Sequence, residues 1–248
     1  MIAWCLFFLI VSIISIVLIY NTDVYYFLSF LNEVWTKPDE KVFYDTNEEW
    51  CKKLRDNYKE IRREFITYQN KNKIPGYIEI SDAGIPLDNQ EEKWRVLILD
   101  IFGNNTQICK HFPLTCSLLK QVPGCRVSLF SVLDPNKKIP QHKGPNKCVL
   151  RYHLGLIVPK DKESCFITVN NETRYWEEGK DIIFDDVYEH SVENNTNEQR
   201  VVLFLDIQKK YNIFLDTFNN ILFYFIKNNS TLMDIFNNVN NYDKDNKL

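Results

Sequence analysis

The sequence predicts a mainly β domain with flanking helices, preceded by a hydrophobic helix long enough to cross a membrane. Three observations support this prediction. Short runs rich in β-branched and aromatic residues follow one another between residues 95 and 207, and turn-type residues separate most of them. Helical periodicity precedes and follows these runs, and an uncharged apolar stretch begins the chain. Of 248 residues, 45% are hydrophobic and 25% are charged, which suffices for one buried core.

The first element is the uncharged stretch Ile2–Tyr20, in which two serines are the only interruptions. As a helix it would measure roughly 28 Å, about the thickness of the hydrocarbon layer of a bilayer. It lacks the basic start and the small-residue cleavage site of a secretory signal peptide. We therefore expect residues 1–36 to form an uncleaved single-pass anchor with an aromatic interfacial flank. Its orientation stays open, because the first basic residue, Lys37, has two acidic residues close by.

Residues 37–93 are predicted to form a helical preface and a loop-rich crossing to the β-domain. Thr46 and Glu49 have the spacing of a capping box. Apolar residues then recur at three- and four-residue steps from Trp50 to Tyr68, which predicts one helix packed on the β-domain.

Residues 94–210 are predicted to form the core domain, a β-barrel or a β-sandwich. We interpret Trp176–Gly179 as a hairpin turn, with Gly179 able to adopt a positive φ. The predicted strands are Arg95–Ile101, Val149–Val158, Cys165–Val169, Asp181–Phe184 and Arg200–Ile207.

Residues 211–248 are predicted to form an apolar helix followed by a polar tail. The helix is apolar on one face from Phe214 and all round near Phe225. Packing on the β-domain is the default, and contact with a membrane surface is the alternative. The Asn-, Asp- and Lys-rich tail, Asn237–Leu248, is predicted to be disordered.

Two histidines are candidate metal ligands. His142 and His190 are 48 residues apart, a spacing that suits two strands meeting across a barrel. Imidazole suits Fe(II), and the usual oxygenase site combines two histidines with one carboxylate. Here Gly144 occupies the position that normally supplies the carboxylate. A water, Asp185 or Asp186 could supply the missing third ligand. For the two aspartates, the simpler interpretation is a turn in which Asp caps its own backbone.

Two arginines in the same region are candidates for binding an acidic ligand. Arg151 and His153 are two residues apart in one predicted strand, so they project to the same face. An arginine inside a small barrel requires an anionic partner, since an unpaired buried charge is costly. The guanidinium of Arg200, at the start of another strand, suits bidentate recognition of a carboxylate. A dicarboxylate cosubstrate would meet both requirements.

Read together, five motifs resemble the aspartyl/asparaginyl β-hydroxylase family, in the right order over roughly residues 40–210. The pattern is also similar to that of the membrane-bound lipid A hydroxylases. The resemblance implies a double-stranded β-helix, a jelly-roll or cupin-like barrel, that binds Fe(II) and 2-oxoglutarate and uses O₂ to hydroxylate an unactivated C–H bond. The motifs are Ser131–Leu133, His142–Pro145, Leu150–Leu156, Trp176–Lys180 and Phe184–His190.

The resemblance also implies roles for individual residues. The family manages with two histidines on its iron, so the glycine at position 144 fits it. Other side chains reach the cosubstrate, with one arginine as its anchor. The implied iron ligands are His142 and His190, the implied anchor is Arg200, and the other cosubstrate residues are Arg151, His153 and Ser131.

Three functions are compatible with these features. The first is hydroxylation of the β-carbon of peptidyl Asp or Asn by a membrane-anchored enzyme. The second is the same chemistry on a lipid acyl chain, which the short anchor-plus-barrel layout favours. The third is an inactive barrel kept as a membrane-tethered binding module, against which the intact His142, His190 and Arg200 argue. The sequence gives little ground for choosing between a peptide and a lipid substrate.

Composition narrows the partners further. The net charge of −3 and the lack of a basic stripe argue against a nucleic-acid partner. Seven cysteines with no C-x-x-C pair do not predict a disulfide framework, so we expect buried thiols. A Cys109–Cys116 bridge in an oxidising lumen is the alternative. Several Asn-X-Ser/Thr tripeptides would suit a luminal domain, but a chain so rich in Asn produces them by composition alone.

Overall fold

The structure is a computed structural model that describes residues 41–81, 93–144, 147–227 and 230–245. The predicted anchor, Ile2–Tyr20, lies outside these ranges, as does most of the crossing between residues 81 and 93. Within the described ranges, no helix is both long and apolar enough to span a bilayer.

The described part of the chain is mainly β. Its strands are β1 (Phe43–Tyr44), β2 (Trp94–Ile101), β3 (Asn104–Asn105), β4 (Cys125–Leu133), β5 (Lys138–His142), β6 (Val149–Ile157), β7 (Cys165–Val169), β8 (Glu172–Tyr175), β9 (Asp181–Phe184), β10 (His190–Asn194) and β11 (Arg200–Gln208). Its α-helices are α1 (Glu49–Asp56), α2 (Tyr58–Gln69), α3 (Tyr77–Ile80), α4 (Pro113–Leu119), α5 (Ile213–Lys227) and α6 (Ser230–Asp245). Two 3₁₀ segments cover Gln107–His111 and Lys162–Ser164.

The strands form two antiparallel sheets. The larger has the order β1-β9-β6-β11-β4-β2-β3 and the smaller the order β5-β10-β7-β8. From β4 to β11 the chain passes repeatedly from one sheet to the other, with β4, β6, β9 and β11 in the larger sheet. This alternation is the connectivity expected of a jelly-roll barrel, and it brings side chains from both sheets into one interior. The prediction of a mainly β fold is confirmed.

All five predicted strands are present within two residues of their expected bounds. The turn at Trp176–Gly179 is also present, and Gly179 has a φ of +73°. It is not a hairpin, because the strands on its two sides, β8 and β9, belong to different sheets. The sequence pattern of a turn is the same whether the chain folds back or crosses to the other sheet, so only the pairing distinguishes them.

The predicted single helix is two helices, α1 and α2, separated at Asn57. The Asn57 backbone has φ −102° and ψ 8°, and its side-chain amide donates to the Lys53 carbonyl, 2.8 Å away. A side chain that satisfies a helix carbonyl in this way competes with the helix itself. The capping-box prediction was wrong: α1 begins at Glu49, and its N-cap, Glu48, makes no side-chain hydrogen bond to the helix.

The buried core includes residues of both sheets and extends to these helices, which pack on the larger sheet. Phe65 of α2 packs its ring 5.1 Å from that of Phe130 in β4, and Phe112 lies 4.9 Å away on the other side. The helices are also tied to the sheet by charge, because Arg55 forms an ion pair of 2.7 Å with Asp181 at the start of β9.

The C-terminal region packs on the domain more fully than the sequence suggests. In α5, Leu222 and Phe223 are buried, and the Phe223 ring lies 5.7 Å from that of Phe102, just after β2, as expected for packing on the β-domain. Its other face is open, with Ile213 86% and Ile221 47% exposed, so contact with a membrane surface stays a prediction.

The prediction of a disordered tail over residues 237–248 was wrong, because α6 continues to residue 245. Composition suggested disorder, yet Val239 is buried and the Asn240 side chain accepts a hydrogen bond of 2.8 Å from the Gln107 amide. The asparagine that lowered the hydrophobicity of the segment is used to satisfy a neighbouring backbone group.

The expectation of thiols alone was also wrong, because Cys109 and Cys116 form a disulfide with Cα atoms 6.0 Å apart. The bridge joins the 3₁₀ segment to α4 beside β2. The remaining cysteines of the described residues, Cys51, Cys125, Cys148 and Cys165, are free.

Candidate active site

Two strands of the smaller sheet bring the candidate metal ligands together. His142 is the last residue of β5 and His190 the first of β10, and they are directly paired in the antiparallel ladder. Their ring centroids are 4.2 Å apart. The chain between them passes through β6 to β9 and returns, so the two histidines meet on neighbouring strands of one sheet rather than across the barrel as expected.

Hydrogen bonds orient both rings in the same way. The Nδ1 atom of His142 lies 2.8 Å from the Pro140 carbonyl, and that of His190 lies 2.9 Å from the Tyr188 carbonyl. Each Nδ1 therefore carries the proton, which leaves each Nε2 with a free lone pair. The Nε2 of His190 is buried and has no hydrogen-bond partner among the described residues.

Both imidazoles are neutral at pH 7. Burial lowers the pKa of His142, and burial together with the charge of Arg151 lowers the pKa of His190 to about 3. Neutral imidazole is the form that binds a metal ion. Two neighbouring rings that share this state have the protonation that a metal centre requires.

Asp186 lies where a residue larger than glycine at position 144 would place its side chain. A Cβ atom added to Gly144 would overlap the carboxylate of Asp186, and the Gly144 amide donates to the Asp186 carbonyl at 2.7 Å. Asp186 is fully buried, and burial raises its pKa to about 7. Of the two aspartates weighed as the third ligand, this one lies beside Gly144.

Asp185 faces elsewhere. Its carboxylate forms an ion pair of 2.5 Å with the buried Lys209, and it accepts a weak hydrogen bond from the Val187 amide. The turn interpretation is therefore right for the local backbone, but both aspartates are buried and ion-paired rather than solvated.

Arg151 finds its anionic partners within the chain. Its Nη2 lies 3.0 Å from Asp186, and its Nε lies 3.3 Å from Asp206, the residue opposite it on β11. The charge of Arg151 alone thus does not require a cosubstrate. Arg151 links the aspartate beside Gly144 to the larger sheet.

Arg200 is the contrasting case. Its side chain is 1% exposed and forms no ion pair with a carboxylate among the described residues. It lies 4.6 Å from the Trp176 ring and donates to the Ser131 hydroxyl at 3.3 Å, while its Nε has no hydrogen-bond partner. Burial lowers its pKa to about 10, so it stays charged at pH 7. A buried guanidinium in this state has the charge and the donors to bind an anion.

The remaining candidates complete the same interior. Ser131 accepts a hydrogen bond of 3.0 Å from the Trp94 indole. His153 is buried among aromatic rings, including Phe184 at 5.2 Å and Phe204 at 5.1 Å, and neither of its ring nitrogens has a hydrogen-bond partner among the residues described. Burial and the charge of Arg200 hold its pKa well below the ordinary histidine value. It is therefore a neutral ring that can donate one hydrogen bond and accept another.

All six residues singled out from the sequence line one cavity. It is narrow, about 30 Å³, the room of one or two waters, so a larger ligand requires side chains to rotate. Trp94 also lines it, and sequence reasoning missed this residue along with Asp206, because no motif marks either. The cavity walls are Trp94, Ser131, Ile139, His142, Arg151, His153, Ile167, Phe184, His190, Val192, Arg200 and Phe204.

The donor set fits one metal ion and one dicarboxylate. Two neutral imidazoles lie at one end of the cavity and the buried Arg200 lies in its wall, with Ser131 and His153 beside it. The described residues contain no group of three or more His, Cys, Asp or Glu side chains placed to hold a metal. Among the residues that the structure describes, the two histidines are therefore the side chains placed to hold a metal here, and Asp186 is the carboxylate beside Gly144.

Comparisons with known proteins identify a family. A family model described as aspartyl/asparaginyl beta-hydroxylase matches residues 55–210. The ornithine lipid ester-linked acyl 2-hydroxylase of Rhizobium tropici is 36% identical over 182 residues, which is 72% of this chain and 64% of that protein. The aspartyl/asparaginyl beta-hydroxylase of Homo sapiens is 36% identical over 179 residues, which is 70% of this chain and 22% of that protein.

The match therefore spans less than two thirds of the length of either relative. A solved structure described as a predicted oxalate decarboxylase from Thermotoga maritima has a TM-score of 0.33 and 14% identity, over 56% of this chain and 93% of that one. A TM-score this low supports no inference about this chain. Because the family model matches more than half of the sequence, the chain belongs to the aspartyl/asparaginyl β-hydroxylase family.

Proposed function

We propose that the chain is a membrane-anchored Fe(II)- and 2-oxoglutarate-dependent dioxygenase that hydroxylates an unactivated C–H bond. The observation that supports this most is the pairing, in one cavity, of two neutral histidines with a buried arginine that lacks a carboxylate partner among the described residues. The two histidines account for a metal, and the arginine accounts for an acidic cosubstrate. A binding module would need neither.

In this proposal the iron is held by His142 and His190, whose Nδ1 hydrogen bonds to backbone carbonyls fix the ring orientation. Asp186, beside Gly144, is the nearest carboxylate to the position that a third protein ligand usually fills. When bound, the iron and 2-oxoglutarate together use O₂ to convert C–H to C–OH, with release of succinate and CO₂.

The rest of the cavity binds and orients the cosubstrate. The Arg200 guanidinium pairs with its distal carboxylate, and the Ser131 hydroxyl and the His153 ring supply neutral hydrogen bonds to it. Arg151 holds Asp186 in place through the 3.0 Å ion pair. The rings of Phe184, Phe204 and Trp176 keep water away, which strengthens each of these electrostatic contacts.

Two substrate classes are candidates. The β-carbon of a peptidyl Asp or Asn is the first, in line with the human relative. A lipid acyl chain is the second, and the match to the Rhizobium tropici protein over 64% of its length favours it. For either class, we propose that Ile2–Tyr20 anchors the enzyme to a membrane.

Substrate-independent turnover tests the core of the proposal. The purified full chain with added Fe(II) should convert 2-oxoglutarate to succinate, and replacement of His142 or His190 by Ala should stop this. Succinate formation that is unchanged in both variants would refute the proposal. Mass spectrometry of co-expressed peptides and of membrane lipids then shows which class gains one oxygen. Extraction of membranes at alkaline pH tests the anchor, since an anchored chain stays in the pellet.

A further inference from the structure

The Asn-X-Ser/Thr tripeptides that composition left uninterpreted have very different surroundings in the fold. Asn171 lies in the turn between β7 and β8, where it and Asn170 have φ values of +65° and +47°. Its side chain is exposed, as expected for a two-residue turn of this type, which asparagine favours. The third residue of the tripeptide, Thr173, is partly exposed on the edge strand β8.

Asn194 is the opposite case. Its side chain is 0% exposed, and its amide nitrogen lies within hydrogen-bond distance of the carbonyls of Asp134, at 3.0 Å, and Glu198, at 2.8 Å. A bulky group on this nitrogen would break both contacts and could not be accommodated. Asn104 is intermediate, because it is partly buried and the Thr106 of its tripeptide is buried, with its hydroxyl donating to the Ile98 carbonyl at 2.7 Å.

The disulfide supplies an independent observation about compartment. Cys109 and Cys116 are bridged at a Cα separation of 6.0 Å in the folded domain. Bridges of this kind persist in the secretory pathway and outside the cell and are rare in the cytosol. The oxidising compartment is also the one in which exposed Asn-X-Ser/Thr tripeptides receive glycans.

We propose that Asn171 is an N-glycosylation site and that the domain from residue 41 onward faces an oxidising lumen. In the transfer, a C–N bond forms between the Asn171 side-chain nitrogen and the anomeric carbon of a lipid-linked oligosaccharide, and the bond from that carbon to the pyrophosphate breaks. The lipid pyrophosphate is the leaving group, and the nitrogen gives up one proton to a base of the membrane transferase. No oxidant is involved.

Two consequences follow for the enzyme. Resting on the anchor proposed above for Ile2–Tyr20, the inference puts the catalytic domain on the luminal side, which is the orientation that the flanking charges did not decide. The modified turn is also linked to the strand that carries a candidate ligand, because the Asn170 amide donates at 2.9 Å to the carbonyl of Glu189, the residue before His190.

The test is site-specific mapping of the full chain expressed in a eukaryotic host that glycosylates secretory proteins. The glycans are removed enzymatically in ¹⁸O-labelled water, which converts each glycosylated Asn to ¹⁸O-labelled Asp, and the peptides are identified by mass spectrometry. We expect label at Asn171 and none at Asn194. Asn171→Gln and Thr173→Val should lose the glycan, whereas Thr173→Ser should retain it, and 2-oxoglutarate turnover should survive in all three.

The disulfide state is measured in the same sample by alkylation before reduction. An unmodified Asn171 in protein whose Cys109 and Cys116 are bridged would overturn the proposal, since the domain would have reached the compartment without modification. Free thiols at both cysteines would overturn the luminal orientation. Either result leaves the hydroxylase proposal standing, because succinate formation is measured separately.

Discussion

The carboxylate of Asp186 fills the space beside the α-carbon of Gly144, so this position accepts no side chain while Asp186 is present. The relationship explains why glycine stands two residues after His142, where the general oxygenase motif has a carboxylate. The chain has a carboxylate there, but it comes from the segment before β10 rather than from β5.

Gly144→Ala should destabilise the protein and weaken Fe(II) binding, because the added methyl group overlaps the Asp186 carboxylate. Overpacking of this kind typically costs about 1–3 kcal/mol of the free energy of unfolding. Urea unfolding of the variant measures the cost, and the double variant Gly144→Ala/Asp186→Gly, which removes the overlapping side chain, is the matched control. The double variant is compared with Asp186→Gly alone, because both lack the Asp186–Arg151 ion pair. If Gly144→Ala costs as much in the Asp186→Gly background as in the parent, the overlap is not the cause.

A second experiment moves the carboxylate. Asp186→Gly should weaken Fe(II) binding, and Gly144→Asp in that background should restore part of it, since the new side chain enters the same space from the other strand. Titration with Fe(II) under anaerobic conditions gives the dissociation constants. Equal affinities for the three proteins would show that no carboxylate at this place assists the metal.

His142→Ala and His190→Ala should each weaken metal binding by about tenfold or more, because each removes one of two protein ligands. The fold should survive, since the site is built on strands that other contacts hold together. Co(II) absorption spectra provide a readout that is independent of turnover. His111→Ala is the control, because that ring packs on Tyr68 at 5.2 Å, away from the cavity. Unaltered Co(II) spectra in both test variants would contradict the assignment.

Arg200→Ala should raise the 2-oxoglutarate concentration needed for half-maximal succinate formation by about tenfold or more. Truncation of one partner of a buried charge-assisted pair costs roughly 2–5 kcal/mol. Arg63→Ala is the control, since the Arg63 side chain is 75% exposed on α2. An unchanged requirement in the Arg200 variant would move the anchor to another residue, and Arg151 would be the next to replace.

The metal-free protein should lose stability as the pH falls below about 6.5. Burial lowers the pKa of His190 to about 3, whereas the unfolded value is 6.5. Below pH 6.5 the unfolded chain therefore binds a proton that the folded chain does not, and stability falls until the pH reaches about 3. For this group alone the loss between pH 6.5 and 5 is about 2 kcal/mol.

Urea unfolding at both pH values measures this loss, and His190→Gln should reduce it. Asp186, whose pKa burial raises to about 7, also titrates in this range, but it is present in both proteins, so the comparison with the parent at the same pH isolates the histidine. A loss of equal size in parent and variant would contradict the prediction.

Reduction of the Cys109–Cys116 bridge should lower the free energy of unfolding by roughly 2–3 kcal/mol, as expected for a short closed loop. A Cys109→Ser/Cys116→Ser variant should show the same decrease without reductant, and adding reductant should then change nothing further. If reductant destabilises the parent and the variant equally, another pair of cysteines is responsible.

The sequence by itself indicated the mainly β class, five of the strands that the structure describes and the candidate residues of the site. Strands such as Cys165–Val169 and Asp181–Phe184 were predicted with their observed bounds, because continuous apolar and β-branched runs between turn residues are a local property. The six site residues were found through motif order and side-chain chemistry, which are also readable along the chain.

Tertiary structure decided what depends on pairing between distant segments. The turn at Gly179 joins strands of two different sheets rather than two neighbouring strands. The tail around Val239 is ordered by contacts with residues more than one hundred positions away. The disulfide of Cys109 is a separate case, because it depends on local geometry that sequence spacing does not give. The partners of Arg151 follow from strand register, which places Asp206 opposite it and Asp186 beside it. Periodicity fixes which face a side chain occupies, but the charge it meets there is set by the strand that folds against it.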